Sequence, residues 1–297
     1  MFSKSSWLHL RIPFSYYLLP VYLFALAISP NFSESGIVWT FIIVHFLLYP
    51  ASNGYNSYFD KDEKSIGGLK NPPKVTVGLY YLSIGFDVIA LFLGFIFISL
   101  EFCTLLFLYG LISKAYSHPS IRLKKFPIVG WLTVSLFQGG FTLMMCYIGI
   151  NHYSFSSVVQ PTVLFAGVLA TLQLLGTYPM TQIYQHEEDA KRGDHTLSLR
   201  LGTRGTFIFV GALFTLTSMG FFWYFVEFFT IQYSYAFFIA LTPVIIFFSY
   251  WFVRSFTQPE FVNHKNTMRL NFISATCLNA FFIYLFLNNS NLLQFFE

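Results

Sequence analysis

Two short polar segments hold seven of the thirteen acids in this 297-residue chain, and those are the side chains best placed to do chemistry. The first reads NSYFDKDEKSIGG and carries Asn56, Asp60, Asp62 and Glu63 ahead of Gly67 and Gly68. Residues four apart on a helix share a face. If the preceding helix runs through 53–63, Asn56 and Asp60 lie together, Glu63 joins them one turn on, and Asp62 points away. Carboxylates and an amide oxygen converging on one spot suit Mg2+, which takes oxygen ligands and usually also binds substrate phosphates. A solvated charged loop would have the same composition.

The second segment reads YQHEEDAKRGDHTLSLRLG. Gln185 and Asp189 are again four apart, and so are Glu188 and Arg192, a spacing that also makes an ordinary helix ion pair. His186 reads as a loop histidine. Placed opposite the first segment, these acids make a second cation site. A third segment, KAYSHPSIRLKK at 114–125, offers the Tyr116 and Ser117 hydroxyls and then Arg122, Lys124 and Lys125, with Pro119 stopping the helix. It reads either as a cationic wall for a diphosphate or as the basic flank that orients a membrane helix.

Long apolar stretches must position these segments. Hydrophobic residues make up 55% of the chain and charged residues 10%, with mean hydropathy +0.59, against about 25% charged residues in a soluble domain. Nine spans of roughly 20 residues are predicted, at 12–29, 37–53, 78–99, 101–117, 127–149, 160–184, 206–227, 232–252 and 270–290. The fold class is therefore all-α, a polytopic membrane protein with helices around a central cavity and a polar cap, in one domain over 1–297. Residues 1–29 read as a first membrane helix and not as a cleaved signal.

All 17 Lys and Arg residues fall in five segments, the N-terminus, 53–78, 114–125, 185–204 and 253–269, that alternate along the spans. The intervening loops carry Glu34, Glu101, Glu227 and Glu297 with no Lys or Arg. The positive-inside rule then puts the N-terminus and all three polar segments on the cytoplasmic side and the C-terminus outside. The net charge of +4 sits at membrane flanks and implies no nucleic acid. Cys103, Cys146 and Cys277 lie in apolar stretches and read as packing residues, not a disulfide framework. Intramembrane polar residues can mark an ion path, but Asp87 and the Gln138-Gly-Gly stretch are a thin set for a transporter.

The 53–78 and 185–204 segments share an order of acids, glycines and basic residues, a weak internal repeat that suggests two halves facing one cavity. In order and spacing the three segments resemble the UbiA superfamily of intramembrane prenyltransferases. Asn56 and Asp60 match the first half of its NDxxDxxxD motif. Tyr116, Ser117, Pro119, Arg122, Leu123 and Lys124 match its YSxPPxRLK stretch. Asp189, Gly193, Thr196 and Leu197 match the end of its second motif.

The resemblance implies Mg2+-dependent transfer of a prenyl group from an isoprenoid diphosphate to a lipophilic, often aromatic, acceptor within the membrane. It implies Asn56, Asp60, Glu63, Gln185, Glu188 and Asp189 as metal ligands. Asp60, Asp189, Tyr116 and Lys64 become the candidate catalytic residues. Lys70, Lys74, Ser117, Arg122, Lys124, Lys191 and Arg192 become diphosphate contacts. Two positions depart from the pattern: Lys64 and Gln185 stand where the family usually has Asp. Lys64 is thus expected either to replace one metal with its ammonium or to face solvent as an ordinary inside charge. A relative that moves phosphoribosyl to a lipid phosphate, or one without catalysis, would keep the same fold.

Overall fold

The computed structural model describes residues 3–290. The chain is all-α: α1 (Lys4–Ala27), α2 (Glu34–Asp60), α3 (Val77–Phe97), α4 (Leu100–Ser117), α5 (Pro127–Asn151), α6 (Pro161–Gln182), the short α7 (His186–Arg192), α8 (Leu197–Phe228), α9 (Ile231–Thr257) and α10 (His264–Asn289). Eight of these are long and apolar enough to cross a membrane. The expected fourth span is α4, an 18-residue helix whose first turn holds Glu101 and whose last holds Lys114. Those two charges lower its apolar character. Lys114 pairs with Asp87 of α3, so each charge of that pair has a partner inside the α3–α4 hairpin. Glu297, one of the acids assigned to the outer side, lies outside the described residues.

Several helices outrun their apolar windows. The second predicted span stops at 53, yet α2 continues to Asp60, and α8 begins at Leu197 in place of 206. Local chemistry sets these ends. Ser33, Ser99, Thr196 and Asn263 each accept a backbone N–H in the first turn of the helix after it. Pro127 and Pro161 open α5 and α6, where a missing N–H costs nothing. α8 is bent at Gly202, whose φ of 67° and ψ of 176° need a glycine.

Helices α1, α2, α4, α5, α6 and α10 pack neighbour to neighbour into a closed ring and line a common cavity. α8 and α9 buttress α6 and α10 from outside through a core that includes Phe207, Phe225 and Trp251. Two π-helical segments interrupt the ring, Ile43–Leu48 in α2 and Phe137–Phe141 in α5. A π-turn carries an extra residue and rotates the rest of its helix. The first sets the face that brings Ser52, Asn53, Asn56 and Asp60 to the cavity, and the second carries Phe137 and Gln138 there. Gly139 and Gly140 let α5 touch the α6 backbone: an added Cβ would sit 2.7 Å from the Ala170 carbonyl and 2.6 Å from that of Gly167.

Candidate active site

The first acidic arm is the end of α2 and the loop after it. Lys61 takes a left-handed conformation (φ 51°, ψ 42°), and its N–H closes on the Ser57 carbonyl at 3.0 Å. The helix therefore stops at Asp60, one turn short of Glu63. This corrects two expectations. Asp62, expected to point away, lines the cavity. Glu63 is exposed and lies outside the cavity lining, and Lys64 projects outward, where its Nζ meets Glu187 at 2.7 Å in a pair 58% and 78% exposed. With no helical turn beyond Asp60, no α-helical face exists to carry residue 63 or 64 inward.

The second arm is α7, closed by Gly193 in the left-handed region at φ 70°. Gln185, Asp189, Arg192, Asp194 and Thr196 from this arm line the cavity. Glu188 does not. One of its oxygens accepts the Lys64 backbone N–H at 3.1 Å, and the other is buried without a partner. Lys70, Lys74 and Lys191 lie away from the cavity. The 61–76 loop and the outer face of α7 turn these three expected diphosphate contacts outward.

The two arms are tied by alternating charge. Lys124 Nζ donates to both oxygens of Asp60. Arg122 stands just behind the cavity lining, forms a two-pronged pair with Asp194 at 2.9 Å and 2.9 Å, and approaches Asp60 at 3.5 Å. Arg192 donates to Asp62 on the first arm and, at 3.0 Å, to Asp189 on its own. Thr196 donates to the other Asp189 oxygen at 3.3 Å. Burial pushes the Asp189 carboxyl up to about 6, partly offset by Arg192. Burial alone would lower the Arg192 guanidinium, but Asp62 and Asp60 hold it firmly charged.

Four cavity residues escape sequence reasoning. Asp62 points the wrong way on an assumed continuous helix. Asp194 reads as part of a loop, although Gly193 marks the turn that aims it inward. Arg11 reads only as an inside charge. It sits at the break in α1, donates to the carbonyls of Gly67 (3.0 Å) and Asn53 (3.3 Å), and leaves its buried Nε unpaired. Among the described residues no carboxylate pairs with it, whereas Lys124 and Arg192 are both committed to acids. Tyr178 is the fourth. Its hydroxyl pairs with that of Tyr116 and accepts from Gln182 at 3.2 Å, and no spacing in the sequence links residues so far apart on apolar helices.

The polar cavity, about 220 Å³, shares Asn53, Gln138, Tyr178 and Thr181 with an adjoining apolar chamber of about 200 Å³ walled mainly by α1, α6 and α10. A charged cap on an apolar chamber is built for an amphiphile with an ionic head. A sequence model of the UbiA prenyltransferase family matches residues 17–273.

The chain belongs to the UbiA prenyltransferase family.

Solved structures agree on the fold of this UbiA family member. A UbiA homolog from Archaeoglobus fulgidus bound to DMAPP and Mg2+ superposes with a TM-score of 0.65 at 17% identity, over 96% of this chain and 99% of that one. The same homolog bound to GPP and Mg2+ gives 0.64 at 17% identity, over 95% and 99%. A digeranylgeranylglyceryl phosphate synthase gives 0.61 at 17% identity, over 95% and 98%. No curated protein matches the sequence. Against the family motifs, Asn56, Asp60 and Asp189 of this member face one cavity, as do Tyr116, Ser117 and Lys124.

Proposed function

We propose that this UbiA family protein transfers an isoprenyl group from its diphosphate to a lipophilic or aromatic acceptor inside the membrane, with Mg2+ at the polar cap. The observation that carries this reading is that the charged cavity adjoins an apolar chamber and shares lining residues with it. The head of a prenyl diphosphate is anionic and its tail is hydrocarbon, and the two compartments match those two chemistries in order.

Among the described residues no three Asp, Glu, His or Cys side chains form a ready-made metal cage. Mg2+ does not ask for one: it is usually held by one or two carboxylates, with waters and substrate phosphates completing the shell. The donors here are all oxygen, namely Asp60, Asp62 and Asp189 with the amides of Asn56 and Gln185, and Gln182 adds a buried amide oxygen without a partner. The set fits. Asp60 and Asp189 would hold the ion from opposite arms, and Asn56 and Gln185 would supplement them. Bound there, Mg2+ supplies neutralisation of the charge that develops on the departing diphosphate.

The chain's own residues do the rest. Arg11 offers a guanidinium that no carboxylate among the described residues has claimed. Lys124 and Arg192 can exchange an acid for a phosphate oxygen once the acids take a metal. Tyr116 and Tyr178 stand at the boundary, where the carbon–oxygen bond of the donor would lie, and their hydroxyls can donate to the bridging oxygen. The aromatic walls below exclude water from the allylic cation, and ring faces attract a cation by ~0.5–2 kcal/mol each.

The basic segments support a cytoplasmic cap. For all five to share one side, α4 must cross as well, giving nine crossings in one membrane domain with the N-terminus inside and the C-terminus outside. The test is incubation of purified protein in lipid with Mg2+, short and long isoprenyl diphosphates and a panel of aromatic acceptors, with products read by mass. A prenylated acceptor formed only with Mg2+ is expected. Intact donors across the whole panel overturn the proposal.

A further inference from the structure

Arg122, Lys124 and Arg192 spend their charge on aspartates. Three cations at the end of α9 and the start of α10 do not. Arg254, Lys265 and Arg269 are exposed, and none of them forms an ion pair among the described residues. The two guanidinium groups lie over rings instead. Arg254 stands 5.6 Å from the ring centroids of both Tyr250 and Phe261, and Arg269 stands 5.8 Å from that of Phe247. Phe247 and Phe261 pack against the core. The Phe261 carbonyl accepts from Trp251 at 2.8 Å and from Asn266 at 2.8 Å, which fixes the turn Pro259–Phe261 between the two helices. Glu260 in that turn is exposed and pairs with none of the three. A guanidinium stacked on a ring keeps its N–H edges free for a bidentate oxyanion.

The three cations head two apolar stripes. On α10, Lys265, Arg269 and Phe272 follow at i, i+4 and i+7 and share a face. On α9, Arg254, Tyr250 and Ile246 recur every fourth residue. Phe272 and Ile246 are 55% and 63% exposed. Arg269 lies about 7.5 Å along α10 from His264, inside a helix long and apolar enough to cross a membrane. Its charge therefore comes close to the level where lipid headgroups meet their chains, and a charge there needs a partner or water. A phospholipid phosphate is such a partner, and its chains lie along the apolar stripes.

We infer that the basic end of the α9–α10 pair binds the headgroup of an anionic phospholipid, with Arg254, Lys265 and Arg269 around its phosphodiester. Basic pockets between membrane helices take anionic lipid heads by this chemistry. The cations also repel the ammonium of a zwitterionic head, so the preference is for net negative charge. The surface is separate from the candidate active site: Asn271, Ser274 and Leu278, which border the apolar chamber, lie on the opposite side of α10. Arg204 of α8 offers a contrast at the same end of the bundle. It lies over one ring, Phe256, at 4.7 Å. Phe256 is about 200° around α9 from Arg254, so Arg204 belongs to a different surface.

The test uses full-length protein in neutral detergent, titrated with phosphatidylglycerol or phosphatidylcholine of the same chains, with bound lipid counted by native mass spectrometry. Each Lys or Arg close to an anionic lipid surface is worth about fivefold in binding. Phosphatidylglycerol should therefore bind at least tenfold more tightly than phosphatidylcholine. Arg254→Gln combined with Arg269→Gln should bring the two lipids to within about twofold, with thermal unfolding in the absence of lipid unchanged. Lys265→Gln alone should lower the preference about fivefold. Arg200→Gln combined with Arg204→Gln removes the same charge from α8 and should keep the preference. Excess glycerol 3-phosphate should leave phosphatidylglycerol bound, because a soluble head lacks the chains. Equal binding of the two lipids by the unaltered chain overturns the inference. So does an α8 variant that loses as much preference as the α9–α10 variant, which would make the effect one of general basic charge. Displacement by glycerol 3-phosphate at matched concentration also overturns it, because the site would then be one for a soluble phosphate.

Discussion

The two acid-bearing arms start from similar sequence and reach the cavity by different means. The first is the tail of a long membrane helix that stops abruptly at a left-handed lysine, so its last carboxylate comes from a loop. The second is a separate seven-residue helix closed by glycine, so Asp189 and Asp194 come from the helix and from the turn after it. Each arm delivers two aspartates, and each pair is held by cations: Lys124 and Arg122 serve Asp60, and Arg192 serves both arms. Matched function between halves thus does not require matched backbone, only that the charges arrive at one place.

If the arms are equal partners, removing either acid should cost the same. Asp60→Ala and Asp189→Ala are each expected to reduce transfer by at least ~10²–10³-fold, the scale of losing one preorganised electrostatic contact at a developing charge. The measurement is turnover in protein whose thermal unfolding is unchanged. A large loss in one arm only would make the cavity asymmetric, with the other arm serving structure.

The next effect tests the tie between arms. Arg192 touches Asp62 on one and Asp189 on the other, and its removal leaves two buried carboxylates short of a partner. Breaking a buried pair costs about 3–5 kcal/mol, so Arg192→Ala should lower unfolding stability by roughly that amount. Lys124→Ala should cost less, because Asp60 retains Arg122. Arg192→Lys is expected to recover little, since a lysine cannot span two carboxylates in one plane. Equal stability of the Arg192→Ala and Lys124→Ala proteins would mean that the arms are not joined through Arg192.

A pH effect belongs to the second arm. With its carboxyl pushed up to about 6, Asp189 holds a proton in the folded protein that the unfolded chain releases from 3.8 upward. The folded state binds more protons across that window, so the contribution favours folding at low pH and is lost as pH rises through about 6. Thermal unfolding in the presence of chelator, compared on the two sides of that pH, should show it, and Asp189→Asn should flatten the slope. A slope unchanged in that variant assigns it to another group.

The smallest expected effect is at Lys64. Its exposed pair with Glu187 is of the kind that contributes little, so Lys64→Ala should leave pyrophosphate affinity and turnover unchanged. A sharp loss of affinity would return Lys64 to the cavity and break the comparison at its first arm.

Legibility from sequence divides along the same line. Apolar runs of membrane length mark the spans, because lipid demands them, and the three motif segments mark where the polar cavity gathers its side chains. The end of α2 is not legible. Asp60-Lys61-Asp62-Glu63 favours helix as well as any polar stretch, and neither glycine nor proline announces the stop, so a sequence reading carries Glu63 inward and Asp62 outward and leaves Lys64 open between cavity and solvent. Gly193 announces the stop of α7, and Asp189 falls on the predicted side. Arg11 and Tyr178 depend on neighbours distant in sequence, Gly67, Asn53 and Tyr116, which only the packed ring brings together.

The π-helical segment Ile43–Leu48 gives the site a property of phase. An α-helix advances by about 100° per residue, so deleting one residue within 43–48 would restore a regular ladder and turn the rest of α2 like a screw. Asn56 and Asp60 would swing from the cavity toward α3 with every side chain still present in the chain. A residue added to the 61–76 loop would leave them where they are. Along α2 the number of residues before the carboxylate is as much a part of the candidate active site as the carboxylate itself.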